Sequence, residues 1–349
     1  MKKVSIKDIA SMAGVASSTV SFVLNGKARK MRISETVEKR VLEVARNAGY
    51  YPNQLAISLR TGKSKTLGLI VENIGNIFFA TLAKTIEEEA EQYGYRVVYC
   101  STENNASKGK ELINMLSQRQ VDGYLITPAP HMEEDIQQLV QLQRPVVLID
   151  RFLPAVEASH VLVNNAEAVE QGMAHLFEQG YKEIGFVTVD LDVVQMEQRL
   201  DGYIAALSKE GIRLNKDIIL KVPYTYQRDE AVELIESLLQ NNPQLEALFF
   251  ATNYLGILGL ESINRLKMSI PQDIAVISFD DHDIFRLYPP GITSIQQPVE
   301  AIAKKAVALL MDQCENSESS FPKTEVELTA KLIVRGSTVN FNAQPEVSR

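Results

Sequence analysis

The first fifty residues carry apolar side chains at the three- and four-residue spacing of short amphipathic helices. Ser5, with Asp8 three residues later, can cap a first helix, and Gly14 permits the tight turn that ends it. A second helix follows at once, and a third can begin at Ser34. The pattern predicts an all-α domain over residues 1–50 whose first two helices form a helix-turn-helix unit.

The rest of the chain follows a different pattern. From residue 64 onward, short apolar runs alternate with amphipathic helical stretches, in the order expected of parallel βαβ units. One series starts at the run TLGLIV, and a second starts near residue 160. The fold class predicted for the whole chain is therefore an all-α helix-turn-helix headpiece followed by an α/β core, residues 64–340, of two doubly wound parallel-sheet lobes.

A short segment between these two domains can form one more helix. Asn53 can cap it and Thr61-Gly62 can close it, which leaves a helix of only about two turns. Isolated helices shorter than about 12 residues are marginal in water, so this one should form only when something packs against it. Residues 51–63 are predicted to be a hinge helix, and residues 341–349 are predicted to be a polar tail.

Charge is distributed unevenly along the chain, and this changes what the net charge of −8 implies. Residues 1–65 hold 13 Lys and Arg against four Asp and Glu, a balance of +9 that leaves −17 for the remainder. A basic head on an acidic body suits a protein that contacts phosphate with one end only. The alternative is a chance cluster of solvated lysines.

In a DNA-binding helix-turn-helix unit, the second helix enters the major groove. Its polar outer face would then meet base edges, and the basic loop after it would rest on the sugar-phosphate backbone. The candidate DNA contacts in this region are Ser17, Ser18, Thr19, Ser21, Phe22, Asn25, Lys30 and Arg32. An ordinary helical hairpin is the alternative that the pattern leaves open.

Several functional classes lack their sequence signals. The N-terminus has no apolar block of the secretory type, and there is no apolar run of about 18 residues that could cross a membrane. Cys100 and Cys314 stand alone, and the four histidines show no metal-ligand spacing. We therefore expect a cytoplasmic protein with no cofactor, no metal, no catalytic residues and no membrane partner.

Two other functional classes remain as alternatives. One is an α/β enzyme, because doubly wound folds often host catalysis, and His282 beside Asp281 could be argued as a general base. No GxGxxG follows the first strand, however, and there is no GxSxG elbow. The other is a periplasmic-type sugar-binding protein, which would need a signal peptide and would have no use for a helix-turn-helix unit.

Polar and aromatic side chains stand just after the predicted strands, where open α/β sheets bind their ligands. Carboxylates and amides can hold pairs of hydroxyls, and an aromatic face can lie against the apolar side of a sugar. These residues are Asn76, Phe78, Phe79, Thr127, Asp150, Arg151, Asp190, Asn253 and Asp280, with Arg199 added at the start of the stretch RLDGYIAAL. We interpret them as a candidate site for a sugar or another polyol.

The N-terminal motifs resemble one known family closely. The run IKDIASMAGVASSTVSFVLNG, followed by RISETVEKRVLEVARNAGYYPNQLAISLRTGKSKTLGLIV, is similar to the LacI/GalR repressors throughout. The resemblance implies a three-helix headpiece and a hinge helix that pairs with its dimer mate in the minor groove. It also implies that Leu59 wedges between the central base pairs, with Ala56 beside it and Arg60 near a phosphate or the groove edge.

The same resemblance extends over essentially the whole chain and implies a core like that of periplasmic sugar-binding proteins. RLDGY and SFDD stand where the family's motifs anchor the effector, which favours Arg199 and Asp280 as its main contacts. The chain is expected to cross between lobes near residues 162, 291 and 326, giving lobes of about 64–161 with 293–324 and about 163–290 with 328–340.

Three positions depart from the family pattern. The loop at residues 28–32 looks longer than the usual connection between the second and third helices, and it adds basic residues. Phe22 stands where relatives often have a polar or aromatic reader, so the operator sequence cannot be copied from them. The common Asn-Asp pair has become Asn253-Tyr254, which puts one polar contact to the effector in doubt.

The function expected from these observations is transcriptional regulation. A homodimer would place two headpieces on a near-palindromic operator, because one headpiece reads only a half-site. A sugar-like effector bound between the lobes would change operator affinity, and a factor of 10 to 100 needs only about 1.4 to 2.7 kcal/mol of coupling. We favour an effector that releases a repressor from DNA. The alternative is a corepressor, which would tighten DNA binding.

Overall fold

The computed structural model describes residues 4–50, 58, 61–315 and 322–340. The chain divides into two compact units, residues 1–64 and residues 65–349. Most of the predicted hinge helix, including Ala56, Leu59 and Arg60, lies outside the described residues, as does the predicted polar tail.

The first unit contains three short helices, as the sequence predicts. They are α1 (Ile6–Ala13), α2 (Ser17–Leu24) and α3 (Glu35–Asn47). The predicted capping box is present at the start of α1, since the Ser5 backbone N–H donates to the Asp8 carboxylate at 2.8 Å. Gly14 ends this helix at φ +62°, a left-handed conformation in which glycine has no steric penalty. A small core that includes Ile9, Val20 and Val41 joins the three helices.

The loop between α2 and α3 is anchored at its centre. Ala28 is buried in the headpiece core, and its carbonyl accepts a hydrogen bond of 2.9 Å from the Ile33 backbone N–H. The basic side chains of this loop are exposed; they are Lys27, Arg29, Lys30 and Arg32. The loop therefore presents its positive charge to solvent from a fixed backbone.

The second unit contains twelve strands and nine further helices among the described residues, apart from 3₁₀ turns. The first series is β1 (Thr66–Val71), α4 (Ile77–Gln92), β2 (Arg96–Ser101), α5 (Ala106–Gln118), β3 (Gly123–Ile126), α6 (Glu133–Gln141), β4 (Val146–Ile149) and β5 (Ser159–Val163). The second is α7 (Asn165–Glu178), β6 (Ile184–Asp190), α8 (Val194–Lys209), β7 (Ile219–Pro223), α9 (Arg228–Asn241), β8 (Ala247–Phe250), α10 (Asn253–Arg265), β9 (Ala275–Phe279), α11 (Asp283–Leu287) and β10 (Thr293–Gln296). The chain then forms α12 (Val299–Glu315), β11 (Glu325–Leu328) and β12 (Lys331–Ile333).

These strands form two six-stranded sheets, which define lobe 1 and lobe 2. The order in lobe 1 is β11-β5-β4-β3-β1-β2, and every pair is parallel. The order in lobe 2 is β12-β10-β9-β8-β6-β7, in which only β12 runs antiparallel to its neighbour. Helix α12 packs on the lobe 1 sheet beside α4. The predicted core of two doubly wound lobes is confirmed.

The crossings between lobes differ from the expected positions. The chain crosses at residue 164, at 297–298 and at 329–330, so residues 293–296 form a strand of lobe 2 and were wrongly assigned to lobe 1. The strand was missed because its first two side chains are polar, although both are buried. Thr293 Oγ1 and Thr338 Oγ1 hydrogen-bond at 2.7 Å, and Ser294 Oγ donates to Asp281 at 2.6 Å, so burial does not leave these groups unpaired.

Helices α7 and α8 approach closely at one glycine. A Cβ at Gly202 would lie 2.4 Å from the carbonyl oxygen of Ala166, well inside van der Waals contact. Gly202 is the glycine of the RLDGY stretch and lies one turn after Arg199 on α8. The close contact therefore fixes the helix that carries Arg199.

Gly202→Ala should destabilise lobe 2, because the added methyl group would force α7 and α8 apart. Overpacking of this kind costs about 1–3 kcal/mol, against the ~1 kcal/mol of helix propensity that alanine gains over glycine. We expect a lower urea midpoint in circular dichroism. Ser208→Ala, at an exposed position of the same helix, is the matched control and should leave the midpoint unchanged. An unchanged midpoint for Gly202→Ala would show that separating the helices costs no more than the helix propensity that alanine gains, which would contradict the prediction.

Candidate functional site

The outer face of α2 carries five of the eight candidate DNA contacts that lie in the described residues. Ser17 and Ser18 are exposed, Thr19, Ser21 and Phe22 are half-buried, and the opposite face packs into the headpiece core. Asn25 lies at the C-terminal end of the helix, where its side-chain N–H donates a hydrogen bond of 2.5 Å to the carbonyl of Ser21. Lys30 and Arg32 are exposed on the basic loop. The headpiece thus presents a polar helix face beside a row of cations.

The carboxyl ends of the strands of lobes 1 and 2 meet at an interlobe cleft. An inner cavity of about 40 Å³ lies in the cleft. It is lined by Glu72, Asn76, Phe78, Phe79, Asp150, Arg151, Val189, Leu191, Val193, Gln195, Met196, Arg199, Thr252, Tyr254 and Asp280. Seven of the ten residues that the sequence analysis named for an effector line this cavity.

Arg199 is a buried cation, only 2% exposed, that is held from several sides. Its Nε donates to Asn165 Oδ1 at 2.9 Å, and its Nη1 donates to the Ala251 carbonyl at 2.7 Å. Nη1 also lies 3.5 Å from Asp280 Oδ2, and the guanidinium lies over the Phe279 ring at 3.6 Å from its centroid. The side chain therefore has a single fixed position at the base of the cleft.

Asp280 and Asp150 each follow a strand with a left-handed backbone, at φ +66° and +68° respectively. Aspartate tolerates this conformation better than most residues, but it remains sparsely populated and is often found at functional sites. Burial raises the pKa of Asp280, although Arg199 opposes that shift. Burial raises the pKa of Asp150 to about 6, against the opposing charges of Arg151 and Arg199.

Arg151 joins the loops that follow the strands of lobe 1. Its guanidinium is buried, bonds to the Glu72 carboxylate and donates to Asn104 Oδ1 at 2.8 Å. Two side-chain contacts then reach across the cleft from lobe 2. Gln195 Nε2 donates to Asp150 Oδ2 at 3.3 Å, and the Tyr224 hydroxyl donates to Glu72 Oε1 at 3.4 Å. These contacts hold the two lobes close together around the inner cavity.

The Arg199–Asp280 pair is also connected to the segments that cross between lobes. Asp280 accepts a hydrogen bond of 2.6 Å from Gln297 Nε2, and Gln297 lies in the second crossing. Asn165, which accepts from Arg199, follows the first crossing directly. Asn164 in turn accepts a hydrogen bond of 2.9 Å from the backbone N–H of Ala330 in the third crossing. The base of the cleft and all three crossings therefore form one bonded network.

A larger outer cavity of about 580 Å³ adjoins the inner one. It is lined by Glu72, Asn73, Gly75, Asn76, Ile77, Tyr224, Tyr226, Arg228, Asn253, Tyr254, Ile257, Leu258 and His282. The two cavities share Glu72, Asn76 and Tyr254. They are therefore neighbouring compartments of one cleft.

Three predicted effector residues do not line the inner cavity. Asp190 is exposed at the end of β6, and its neighbours Val189 and Leu191 line the cavity instead, because alternate side chains of a strand point to opposite faces. Thr127 is buried but is not part of the lining, and Asn253 lines the outer cavity. The placement of Asp190 contradicts the sequence prediction for that residue.

Several residues that line the inner or outer cavity are not among the effector contacts predicted from the sequence. Glu72 directly follows β1, so the rule that selected Asp150 and Asp280 could have found it. Gln195 is the second residue of α8, and Tyr224 follows a strand that the sequence pattern did not show. The exposed positions Lys221 and Pro223 interrupt β7, so no continuous apolar run marks it in the sequence.

Several unpaired buried polar atoms lie in the lining of the cleft. Seven buried side-chain nitrogen or oxygen atoms lack a hydrogen-bond partner within the described ranges; they are Asn104 Nδ2, Thr127 Oγ1, Arg151 Nε, Gln195 Oε1, Glu236 Oε1, Asn253 Nδ2 and Gln297 Oε1. Of these residues, Arg151, Gln195 and Asn253 line the inner or the outer cavity. Arg151 Nε still lies at ion-pair distance, 3.5 Å, from Asp150. Buried polar groups are nearly always paired in folded proteins, so the unpaired atoms in the lining point to a hydrogen-bonding ligand.

The described residues contain no group of three or more His, Cys, Asp and Glu side chains that could hold a metal ion. His282, the one arguable general base, caps helix α11 by accepting a hydrogen bond of 3.0 Å from the Ile284 backbone N–H at its Nδ1. Within the same part of the chain, no helix has the length and apolar character needed to cross a membrane.

Two family models match the sequence. The model for bacterial regulatory proteins of the lacI family matches residues 5–53, and the model for the periplasmic binding protein-like domain matches residues 173–338. The HTH-type transcriptional repressor PurR of Aliivibrio salmonicida is 29% identical over 89% of this chain and 92% of its own length. Catabolite control protein A of Priestia megaterium is 29% identical over 96% of this chain and 99% of its own. The chain is similar to bacterial transcriptional regulators of the LacI family along nearly its whole length, as its motifs predict.

Solved structures share this fold along nearly the whole chain. A lac repressor dimer bound to operator and the anti-inducer ONPF matches with a TM-score of 0.83 and 20% identity, over 97% of this chain and 100% of that one. A complex of the transcriptional regulator CelR with cellobiose matches with a TM-score of 0.70 and 24% identity, over 96% and 100%. These likenesses confirm the predicted fold class.

Asp150→Asn should flatten the pH dependence of stability. The folded-state pKa of Asp150, about 6, lies above its ordinary value of 3.8, so the folded protein holds this proton more tightly than the unfolded chain does. The stability from this carboxyl is therefore fully present below pH 3.8 and is lost as the pH rises to about 6. The loss is at most about 3 kcal/mol.

Urea unfolding at a series of pH values across this window measures the effect. Relative to Asp150→Asn, the wild type should lose free energy of unfolding as the pH rises from 3.8 to about 6, because the amide stays neutral throughout. Asp190→Asn, at the exposed end of β6, is the matched control and should keep the wild-type profile. An identical pH profile for the wild type and Asp150→Asn would contradict the burial argument.

Proposed function

We propose that this LacI-family protein represses carbohydrate-utilisation genes, and that a hydroxyl-rich effector, a sugar or a sugar derivative, binds in the interlobe cleft and controls its operator affinity. The observation that carries the proposal is the unpaired buried polar atoms of Arg151, Gln195 and Asn253, which line the cleft that also holds the Arg199–Asp280 pair. A polyol offers many hydroxyls that both donate and accept, which is what these amide and guanidinium groups require. The similar CelR structure contains cellobiose, which supports a saccharide.

The effector contacts that we propose follow from the geometry of the cleft. Asp280 accepts hydroxyl hydrogens at the base, while Arg199 fixes its carboxylate. Asp150 and Arg151 face the pair from lobe 1, and the aromatic rings of Phe78 and Phe79 lie at the side. These two rings meet edge to face at a centroid distance of 5.0 Å, so each holds the other in place.

At the other end of the chain, the headpiece is the DNA-binding part. Its α2 face, with Ser17, Ser18 and Thr19, would read base edges, and Lys30 and Arg32 would contact phosphates. A homodimer on a near-palindromic operator is the natural assembly, and the similar lac repressor structure is a dimer bound to operator. The protein would act in the cytoplasm, where it meets chromosomal DNA.

Coupling between the two ends requires only a difference in effector affinity between two arrangements of the lobes. An effector that prefers the DNA-incompetent arrangement weakens operator binding, and operator DNA must weaken effector binding by the same factor. The network that joins Asp280 and Arg199 to the interlobe crossings supplies a physical route from ligand to lobe position. A corepressor would act through the same network but would increase operator affinity.

The experiment that tests this function begins with the selection of genomic fragments by the purified protein at one fixed, moderate salt concentration. The enriched DNA is then used in a mobility assay against a panel of sugars. A short near-palindrome that is released by one sugar supports the proposal. If no fragment is enriched, the repressor function is wrong; if a palindrome is enriched but no sugar alters binding, the effector class is wrong.

Asp280→Asn should abolish the response to the effector while operator binding is retained. The amide keeps the size of the carboxylate and tolerates the left-handed backbone, but it cannot accept two hydroxyl hydrogens as the carboxylate does. We expect effector affinity to fall at least about tenfold, which corresponds to ~1.4 kcal/mol. Asp190→Asn serves as the control, since Asp190 lies outside the cavity lining. A normal effector response in Asp280→Asn would place the effector elsewhere.

A further inference from the structure

We propose that the effector extends from the inner cavity into the outer one, where three tyrosines form a second subsite, and that it is therefore an uncharged saccharide of two or more sugar units. This inference rests on the proposed function and deepens it by specifying the size and charge of the ligand. The residues that define the second subsite are Tyr224, Tyr226 and Tyr254.

The inner cavity is too small for a sugar ring with the lobes in this position. Its volume of about 40 Å³ is far below the range of about 300–1,000 Å³ that is usual for small-molecule sites. It can take one polar end group of a ligand, such as a hydroxymethyl group, beside Asp280 and Arg199. The rings of that ligand must then lie elsewhere in the cleft.

The outer cavity has the space that the inner one lacks. Its volume of about 580 Å³ falls within the range of small-molecule sites, which is about 300–1,000 Å³. Glu72, Asn76 and Tyr254 line both cavities, so the two compartments are contiguous. A ligand that is anchored at Asp280 therefore passes Tyr254 as it enters the outer cavity.

The outer lining combines aromatic faces with amide groups. The three tyrosines line the outer cavity, are half-buried and also pack against the core of lobe 2, which restrains them. Burial raises the pKa of Tyr224 to about 12, helped by the neighbouring charge of Glu72. Its hydroxyl therefore stays protonated, donates its hydrogen to Glu72 and leaves its oxygen free to accept from a ligand. Asn73, Asn76 and Asn253 add amide groups to the same lining. Flat apolar rings with interspersed donors and acceptors match the alternating C–H and O–H groups of a sugar.

The charges of the cleft argue against an anionic ligand. The three arginines among the described residues that line the two cavities already pair with carboxylates: Arg151 with Glu72, Arg199 with Asp280, and Arg228 with Glu261. In the inner cavity, Glu72, Asp150 and Asp280 face Arg151 and Arg199. Even when Asp150 is protonated, the two remaining carboxylates, Glu72 and Asp280, balance the two arginines and leave no net positive charge in this cavity. A sugar phosphate or sugar acid would bring a further negative charge without a further arginine in this lining to pair with it.

Tyr254 is the residue that gives this cleft its particular character. It is half-buried and lines both cavities, as do Glu72 and Asn76. Of these three shared residues it is the one with an aromatic ring, so it offers a stacking surface at the junction of the two cavities. A saccharide that is anchored at Asp280 and continues into the outer cavity can lie against this ring.

The first test measures which chain lengths the protein retains. The full chain is dialysed against partial hydrolysates of cellulose, starch, xylan and mannan that contain single sugars and short oligosaccharides, together with sugar phosphates. The retained molecules are then identified by mass spectrometry. We expect an uncharged species of two or more units. Retention of a single sugar as tightly as its disaccharide, or retention of a phosphorylated sugar, overturns this inference and leaves the proposed function standing. If no carbohydrate is retained, the proposed effector class is wrong and the inference fails with it.

The second test uses variants and calorimetry with the retained disaccharide and its parent sugar. Tyr226→Ala should weaken disaccharide binding about tenfold or more, because a stacking face is removed, and should leave binding of the single sugar within about twofold. Tyr226→Phe keeps the ring and should restore most of the disaccharide affinity. Tyr93→Ala removes a tyrosine that is 45% exposed and lines neither cavity, and it controls for general effects. Equal losses for both sugars in Tyr226→Ala, or none for either, would exclude the second subsite.

Discussion

The structure of the cleft depends on one buried ion pair, Arg199 with Asp280. A buried cation is costly unless charge and hydrogen bonds compensate it, and the removal of one partner of such a pair costs about 3–5 kcal/mol. Here the compensation comes from Asp280, the carbonyl of Ala251, Asn165 and the face of Phe279. Because these groups follow different strands of lobe 2 or belong to helix α7, the guanidinium fixes several elements at once and leaves the carboxylate aimed at the ligand.

The same pair connects ligand binding with lobe position. Gln297 and Asn165 bond to its two members, and both lie at crossings between the lobes. Lobe 1 contributes a second charged group, Arg151 with Glu72 and Asp150, which reaches lobe 2 through Gln195 and Tyr224. Each of these two hydrogen bonds contributes only about 1 kcal/mol, so they hold the lobes together weakly. A ligand that adds hydrogen bonds to both lobes can therefore shift their arrangement readily.

The headpiece helices, the two sheets and most of the cleft could be predicted from the sequence, because these features depend on local signals. The capping box at Ser5, the apolar runs and the position just after each strand can all be found without tertiary information. Other features depend on long-range pairing. Strand β10 has buried polar residues that hydrogen bonds to Thr338, Asp281 and Arg335 make tolerable, and Asp190 turns outward because of the register of β6. The tyrosine-lined cavity is formed by the segment after β7 together with the start of α10, so no single sequence motif predicts it.

The central claim is that the Arg199–Asp280 pair transmits ligand binding through the crossings, and reciprocal affinity measurements test it most directly. Operator affinity with and without effector, and effector affinity with and without operator, should change by the same factor, of about 10 to 100. In Gln297→Ala, which keeps the pair but cuts its bond to the second crossing, effector binding should persist while that factor falls toward one. A full coupling factor in this variant would contradict the account.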